Sequence, residues 1–311
     1  PILPVESCVT FSNLVSGLFR TLRWYARFTR VTGKAEVDGL DVSFLVNRAV
    51  REARYSGTLF MNLLVFNAAK RLAETVQVNR CIYPFENLAW EKMLLMGAYS
   101  SSNDILMMGY QHASITKSNA TYQSIVLPEQ QEQPMPFPKV VITTGNVTKQ
   151  WLEAEGNYTA ETKVRAACAL RPAFTPGSEP RPREPELSNL LVALATNLEE
   201  YVRVLVFLEQ TFSSVSDFNV RIRPHPSISM EPALAMASLS DTAFFDLSDG
   251  TLREDLQWAN VVLYASSTVG LEAISLGIPA INLDLGTFLD EDPMLGWSEF
   301  KWTVTDPSEL V

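Results

Sequence analysis

Ser266, Ser267 and Thr268 stand directly after an apolar, β-rich run, Val261–Tyr264, and just before a helical pattern, Gly270–Leu276. Hydroxyls in a turn between a buried strand and a helix start gather O–H donors, free backbone N–H groups and a favourable dipole. The anion such a turn suits is a phosphate. Gly277 fits a helix C-terminus, Pro279 stops continuation, and Ala280–Leu283 is the next strand. Upstream, Phe218–Arg223 alternates like a strand and runs into Pro224-His225-Pro226, where two prolines fix the direction of His225. Arg223, His225 and Pro226 therefore fall, like the hydroxyls, at the carboxyl end of a strand. In open α/β sheets that edge binds ligands.

The chain has two histidines, and each follows an expected strand. His112 comes after Ile105–Tyr110, in the run Tyr110-Gln111-His112, and is a candidate base or hydrogen-bond partner. Glu86 follows the strand Val78–Pro84 and is the first-choice catalytic carboxylate, as a base toward a hydroxyl or as a nucleophile. The alternative for Glu86 is dipole capping of the helix Leu88–Ala98. Tyr110, Gln111, Gly145 and Asn146 are expected to line a cleft; a glycine turn lets backbone approach a ligand, although Gly145-Asn146 also reads as a plain turn. Asp41 and Glu91 are secondary carboxylate candidates. Asp290-Glu291-Asp292 has the form of a metal-binding DxD but reads as a solvated acidic run, and no metal is expected. Three Asn-x-Thr sequons, at Asn119, Asn146 and Asn157, are short enough to occur by chance.

The elements that must position these residues alternate strand and helix. A long helical stretch, Val46–Val76, is interrupted near Tyr55-Ser56-Gly57. The polar segment Thr116–Pro138 reads as a surface loop, Lys139–Thr144 as a strand, Thr148–Glu155 as a helix and Thr162–Leu170 as a strand. Arg171–Ser188, dense in proline and charge, is the expected linker. Beyond it come strand Asn189–Ala195, helix Leu198–Phe212, the His225 strand, strand Ala243–Leu247 and helix Leu252–Trp258. The pattern predicts an α/β protein with two doubly wound domains, 1–170 and 189–311, joined by 171–188.

A length of 311 residues allows two cores, and a formal charge of -10 argues against nucleic-acid partners. Three separated cysteines, Cys8, Cys81 and Cys168, suggest reduced thiols and a cytoplasmic setting. Pro1 is not a natural start, and the chain stops soon after a helix-start signal at Asp306-Pro307-Ser308, so it is expected to be a piece of a longer protein. Phe11–Arg30 is amphipathic, with Leu14, Leu18, Leu22 and Tyr25 on one face and Arg20, Arg23, Arg27 and Arg30 adding positive charge. Such a helix either docks on an anionic membrane surface or packs its apolar face against a core and leaves its arginines in water.

The motifs together carry a resemblance. Arg-Pro-His-Pro followed by Tyr-Ala-Ser-Ser-Thr-Val-Gly-Leu-Glu-Ala resembles the C-terminal half of GT-B glycosyltransferases that use cytidine nucleotides, such as bacterial sialyltransferases and capsule Kdo transferases. Tyr83–Glu91 and Gly109–Ser114 resemble bacterial surface-carbohydrate biosynthesis proteins, and the likeness extends over about Val78 to Asp284. It implies two Rossmann-like domains facing a cleft and a CMP-linked sugar donor. The sugar would be Kdo or another ulosonic acid, moved onto a surface polysaccharide or lipid-linked glycan at the inner face of the cytoplasmic membrane, without metal or further cofactor. It also implies that Arg223, His225, Ser266, Ser267 and Thr268 stabilise the leaving phosphate and that Glu272 holds the ribose hydroxyls, although a helix glutamate is commonly solvated. Teichoic-acid glycerophosphotransferases share the two C-terminal motifs, which leaves CDP-glycerol as a rival donor. A UDP-sugar transferase or epimerase on this fold and a non-catalytic assembly module are further alternatives.

Overall fold

Parallel strands, most of them followed by helices, form the main sheet of each half of the chain. The computed structural model describes residues 4–27, 33–37, 39–101, 104–123, 136–169, 188–213, 218–240, 242–295 and 301–310. Contacts divide the chain into two units, Pro1–His112 with Thr121–Cys168, and Ala113–Ala120 with Ala169–Val311. The short segment Ala113–Ala120 thus belongs with the second unit, a departure from a simple division near residue 170. The expected linker 171–188 lies outside the described residues except for Ser188.

The first unit opens with helix α1 (Phe11–Arg27), a short hairpin β1 (Glu36–Val37) and β2 (Leu40–Asp41), and helices α2 (Ser43–Tyr55) and α3 (Thr58–Thr75). The break between α2 and α3 falls at Gly57, whose φ of 66° is left-handed and suits glycine. The sheet follows as β3 (Arg80–Pro84), α4 (Ala89–Ser101), β4 (Leu106–Tyr110), β5 (Val140–Thr143), α5 (Asn146–Glu155) and β6 (Lys163–Ala166). Its strands are all parallel and lie in chain order, β3-β4-β5-β6. Gly109 is required in β4 because a Cβ there would stand 2.9 Å from the Phe85 ring, which tucks over the strand.

In the second unit the elements are β7 (Asn189–Ala193), α6 (Leu198–Phe212), β8 (Asn219–Arg223), α7 (Glu231–Ala237), β9 (Phe245–Leu247), α8 (Leu252–Trp258), β10 (Val261–Tyr264), α9 (Val269–Ser275), β11 (Ala280–Leu283) and β12 (Lys301–Val304). The parallel order is β9-β8-β7-β10-β11-β12, so the winding reverses between β7 and β10. The central strands are continuous apolar runs because both faces are covered. Leu190 and Val192 pack with Tyr201, Leu205 and Leu208 of α6 on one face. Leu191, Ala193 and Val262 pack with Leu256 and Ala273 on the other. Two elements carry no sequence signal strong enough to anticipate: α7, only seven residues long and opened by Glu231-Pro232, and the short β12.

Gly270 lets α9 lie against β10. A Cβ at Gly270 would stand 2.7 Å from ring carbons of Tyr264, itself fully buried and tied through its hydroxyl to Asp292 at 3.1 Å. The ring has no room to retreat, so Gly270→Ala should destabilise by about 1–3 kcal/mol despite the better helix propensity of alanine. Thermal unfolding checks this: a Tm equal to or above that of the parent would mean that the contact is not tight.

Candidate functional site

In a doubly wound sheet the crevice for ligands forms where the strand order reverses, beyond the carboxyl ends of the two central strands. Here those ends lead into Leu194–Asn197 after β7 and Ala265–Thr268 after β10, with the Pro224-His225-Pro226 turn after β8 on the far side of β7. The His225 and Ser266 turns are therefore two strand spacings apart, about 10 Å.

The first turn of α6 holds both. Glu200 is buried; its Oε1 accepts from the Ala195 N–H at 3.0 Å and its Oε2 accepts the Ser266 hydroxyl proton. The next residue, Tyr201, is fully buried, and its hydroxyl accepts the His225 N–H at 2.7 Å. From β11, the Asn282 side-chain amide donates to the Ala265 carbonyl at 2.9 Å. His225 Nδ1 accepts the Ser227 N–H at 3.2 Å, which selects the tautomer with its proton on Nε2, a donor for an anionic oxygen.

The hydroxyls divide their tasks differently from the expectation that all three meet the ligand. With Glu200 ionised, the Ser266 proton is spent on it. Ser267 is buried and its Oγ accepts the Val269 N–H at 3.4 Å, while Thr268 is exposed. The seven-residue α9 is also too short to supply much dipole. Glu272 sits half-buried on α9.

Arg223 has a different task from the one expected of it. Its Nη1 lies 2.7 Å from Oδ2 of Asp255, a carboxylate only 1% exposed, and donates to the Gly250 carbonyl at 2.8 Å. Arg221 joins from Asp255 Oδ1 at 3.3 Å and lies over the Trp258 ring at 4.0 Å. A buried carboxylate needs such cations, so Arg223 fastens β8 to α8.

Beside Ser266 opens a cavity of about 350 Å³ whose lining includes Asn197, Glu199, Glu200, Asn282, Asp284 and Glu291. Its acidity suits hydroxyl donors on a ligand better than phosphate. The DxD carboxylates at its margin are engaged: Asp290 with Lys117 at 2.9 Å, Asp292 with Lys301 and with Tyr264. Ser118 also donates to the Asp290 carbonyl at 2.8 Å, so the Ala113–Ala120 segment borders this cavity's wall.

In the first unit, Glu86 and His112 follow the adjacent strands β3 and β4. His112 Nε2 lies 3.6 Å from Glu86 Oε1, within ion-pair reach but beyond hydrogen-bond length, and both side chains are partly exposed. The loop carrying Glu86 is fixed from beneath by Glu91, the third residue of α4. Glu91 is buried and accepts the N–H groups of Glu86 at 2.9 Å and Asn87 at 3.0 Å. Burial raises its pKa while those hydrogen bonds oppose the shift. Asn87 takes a left-handed φ of 62° and donates to the Thr121 carbonyl at 2.7 Å.

The other expected cleft residues divide. Gln111 is 1% exposed, and its Oε1 accepts from the N–H and hydroxyl of Thr144, both at 3.1 Å, so it braces the turn after β5 instead of facing a ligand. The Tyr110 hydroxyl donates to the Cys168 carbonyl at 3.0 Å. Gly145 is extended, with open space where a Cβ would stand, and Asn146 at the start of α5 is exposed. Asp41 accepts hydrogen bonds from the Ser43 side chain and, at 2.9 Å, from the Ser43 N–H, which lower its pKa.

Sequence reasoning missed Glu200 and Tyr201. A signal existed in Asn197-x-x-Glu200, the pattern of a helix start with glutamate at its third position. Asn197 does cap α6, accepting the Glu199 N–H at 2.9 Å, but Glu200 reaches past it to Ala195 and Ser266.

No family model matches the chain, and no curated protein sequence matches it significantly. Among solved structures it is similar to a putative UDP-N-acetylglucosamine 2-epimerase from Listeria monocytogenes, at 13% identity over 80% of this chain and 68% of that one, with a TM-score of 0.48. It is similar to MurG from Acinetobacter baumannii at 12% identity over 96% and 84%, with a TM-score of 0.48. KpsC from Thermosulfurimonas dismutans, a beta Kdo 2,4 transferase, is similar at 14% identity over 42% of this chain and 43% of its own, with a TM-score of 0.29.

Burial raises the Glu200 pKa, with the Ser266 and Ala195 hydrogen bonds opposing the shift. A carboxyl with a raised folded pKa binds more protons folded than unfolded, so its contribution to stability falls as pH rises from the unfolded value through the folded one. Glu200→Gln removes that titration. The difference in Tm, variant minus parent, should therefore move in the variant's favour between pH 4.5 and neutrality. A flat difference, or one moving the other way, would contradict a raised pKa.

Proposed function

We propose that the chain is a GT-B-type glycosyltransferase that takes its sugar from a cytidine-nucleotide donor. Kdo or another ulosonic acid on CMP is the favoured donor, and a surface polysaccharide or lipid-linked glycan the acceptor. The observation that carries this reading is the pair of turns on either side of β7, one presenting His225 Nε2–H after β8 and the other the exposed Thr268 after β10, both held by consecutive residues of α6. The motif resemblance supplies the cytidine preference.

In this reading the second unit holds the donor. The phosphate lies toward His225 and the exposed Thr268, whose donors stabilise charge as the leaving CMP takes the bonding electron pair from the anomeric carbon. Ribose or sugar hydroxyls lie toward the acidic cavity beside Ser266 and toward Glu272. The first unit serves the acceptor. Glu86 accepts the proton of the acceptor hydroxyl as that oxygen bonds to the anomeric carbon, and His112 stands beside Glu86 to share the charge. The reaction belongs in the cytoplasm, where nucleotide donors are available, and needs no resident cofactor.

Calorimetric titration with CMP, CDP, UMP, UDP and GDP tests the donor half. CMP or CDP should bind, and His225→Ala should weaken that binding at least about tenfold, the loss of one charge-assisted hydrogen bond. Preference for UDP or GDP would overturn the donor, productive use of CDP-glycerol in place of CMP-sugars would make the chain a glycerophosphotransferase, and no nucleotide binding would favour an assembly module.

Glu86→Gln separates binding from chemistry. It should leave nucleotide affinity unchanged and lower transfer about 10²–10⁴-fold, as expected for removing a general base. Unchanged transfer would remove Glu86 from the mechanism.

A further inference from the structure

Helix α1 buries the wrong face for a core helix. At about 100° per residue, Phe11, Leu14, Val15, Leu18, Phe19 and Leu22 share one broad arc of its surface. The residues it buries are instead the small Gly17 and Thr21, which lie to one side of that arc. Gly17 faces α3, where a Cβ would stand 3.4 Å from the Phe60 ring. The apolar arc is left outward, with Leu18 52%, Phe19 64% and Leu22 56% exposed.

Charge says what the arc meets. Arg20, Arg23 and Arg27 form a stripe at helical spacing along the other border of the arc, all exposed, and among the described residues none pairs with a carboxylate. The chain as a whole carries -10. A positive stripe beside an apolar arc on an acidic protein is complementary to a surface that is apolar beneath and negative above. A second copy of this chain would instead bring a matching positive stripe.

We propose that α1 is an interfacial anchor that lies in the plane of an anionic lipid bilayer. Its apolar arc enters the acyl boundary, about 5–10 Å below the headgroups, while Arg20, Arg23 and Arg27 pair with lipid phosphates and other anionic headgroup oxygens. The exposure of that face among the described residues runs against the alternative of a packed apolar face. No helix among the described residues is long and apolar enough to cross a membrane, so the contact is peripheral where α1 makes it. The proposal stands on α1 alone and is independent of the nucleotide reading.

Sedimentation of the full chain with vesicles tests it. The chain should pellet with phosphatidylglycerol–phosphatidylcholine vesicles, pellet poorly with phosphatidylcholine alone, and be released by high salt. Leu18→Glu with Leu22→Glu should abolish pelleting. Neutralising Arg20, Arg23 and Arg27 to Gln should weaken it at least about tenfold, since each cation near an anionic surface contributes substantially. All five positions are exposed or on the helix border, so circular dichroism and Tm should match the parent, and nucleotide titration should be unaffected. Equal binding to neutral vesicles, no vesicle binding, or binding that survives both sets of substitutions would overturn the proposal. So would a lipid-independent dimer in analytical ultracentrifugation that the leucine substitutions dissolve.

Discussion

The second unit depends on two consecutive side chains at the start of α6. Strand β7 lies between β8 and β10, so the helix that follows it begins between the two turns that carry His225 and Ser266. Neighbouring residues on a helix point about 100° apart, and Glu200 and Tyr201 use that divergence to reach opposite sides. A carboxylate buried at such a point is costly unless its oxygens are satisfied. Here the Ala195 N–H and the Ser266 hydroxyl satisfy them, so the requirement to partner the charge also fixes the crevice wall.

The first unit uses the same device to a different end. Glu91, like Glu200, is the third residue of the helix following its sheet's first strand, and it too turns back to hold the strand–helix loop. Its carboxylate accepts hydrogen bonds from backbone N–H groups of that loop. The capping task is thereby taken by Glu91, which leaves the Glu86 side chain free of it and able to stand beside His112. Of the two readings that the sequence permits for Glu86, the structural one belongs to its neighbour five residues on. The carboxylate that is buried positions, and the one that is partly exposed remains available for chemistry.

What could be read from the sequence follows from which forces are local. Strands β7 and β10 were legible because burial on both faces demands apolar runs, and the two helices α2 and α3 because a glycine marks their junction. The edges where ligands gather followed from strand–helix alternation alone. The partners of particular polar side chains did not. Arg223 meets Asp255, and Gln111 meets Thr144, only because the sheet brings distant segments together, and residue type cannot distinguish a cation reserved for phosphate from one committed to a buried carboxylate. Nor does spacing reveal that Ala113–Ala120 belongs with the second unit, since its contacts with Asp290 span the chain.

Helix α1 illustrates the same limit from the other side. An amphipathic pattern states that an apolar arc exists, not that the fold uses it. The choice is made by Gly17 and Thr21, whose small side chains allow close approach to α3 and so turn the large ones outward. That arrangement also orders the electrostatics of the whole chain. With net charge -10, most of the surface is repelled by anionic headgroups, whereas the arginine stripe on α1 is attracted. In the proposed docking that attraction would select an orientation as well as a contact, because an approach led by α1 brings opposite charges together before the apolar arc touches lipid.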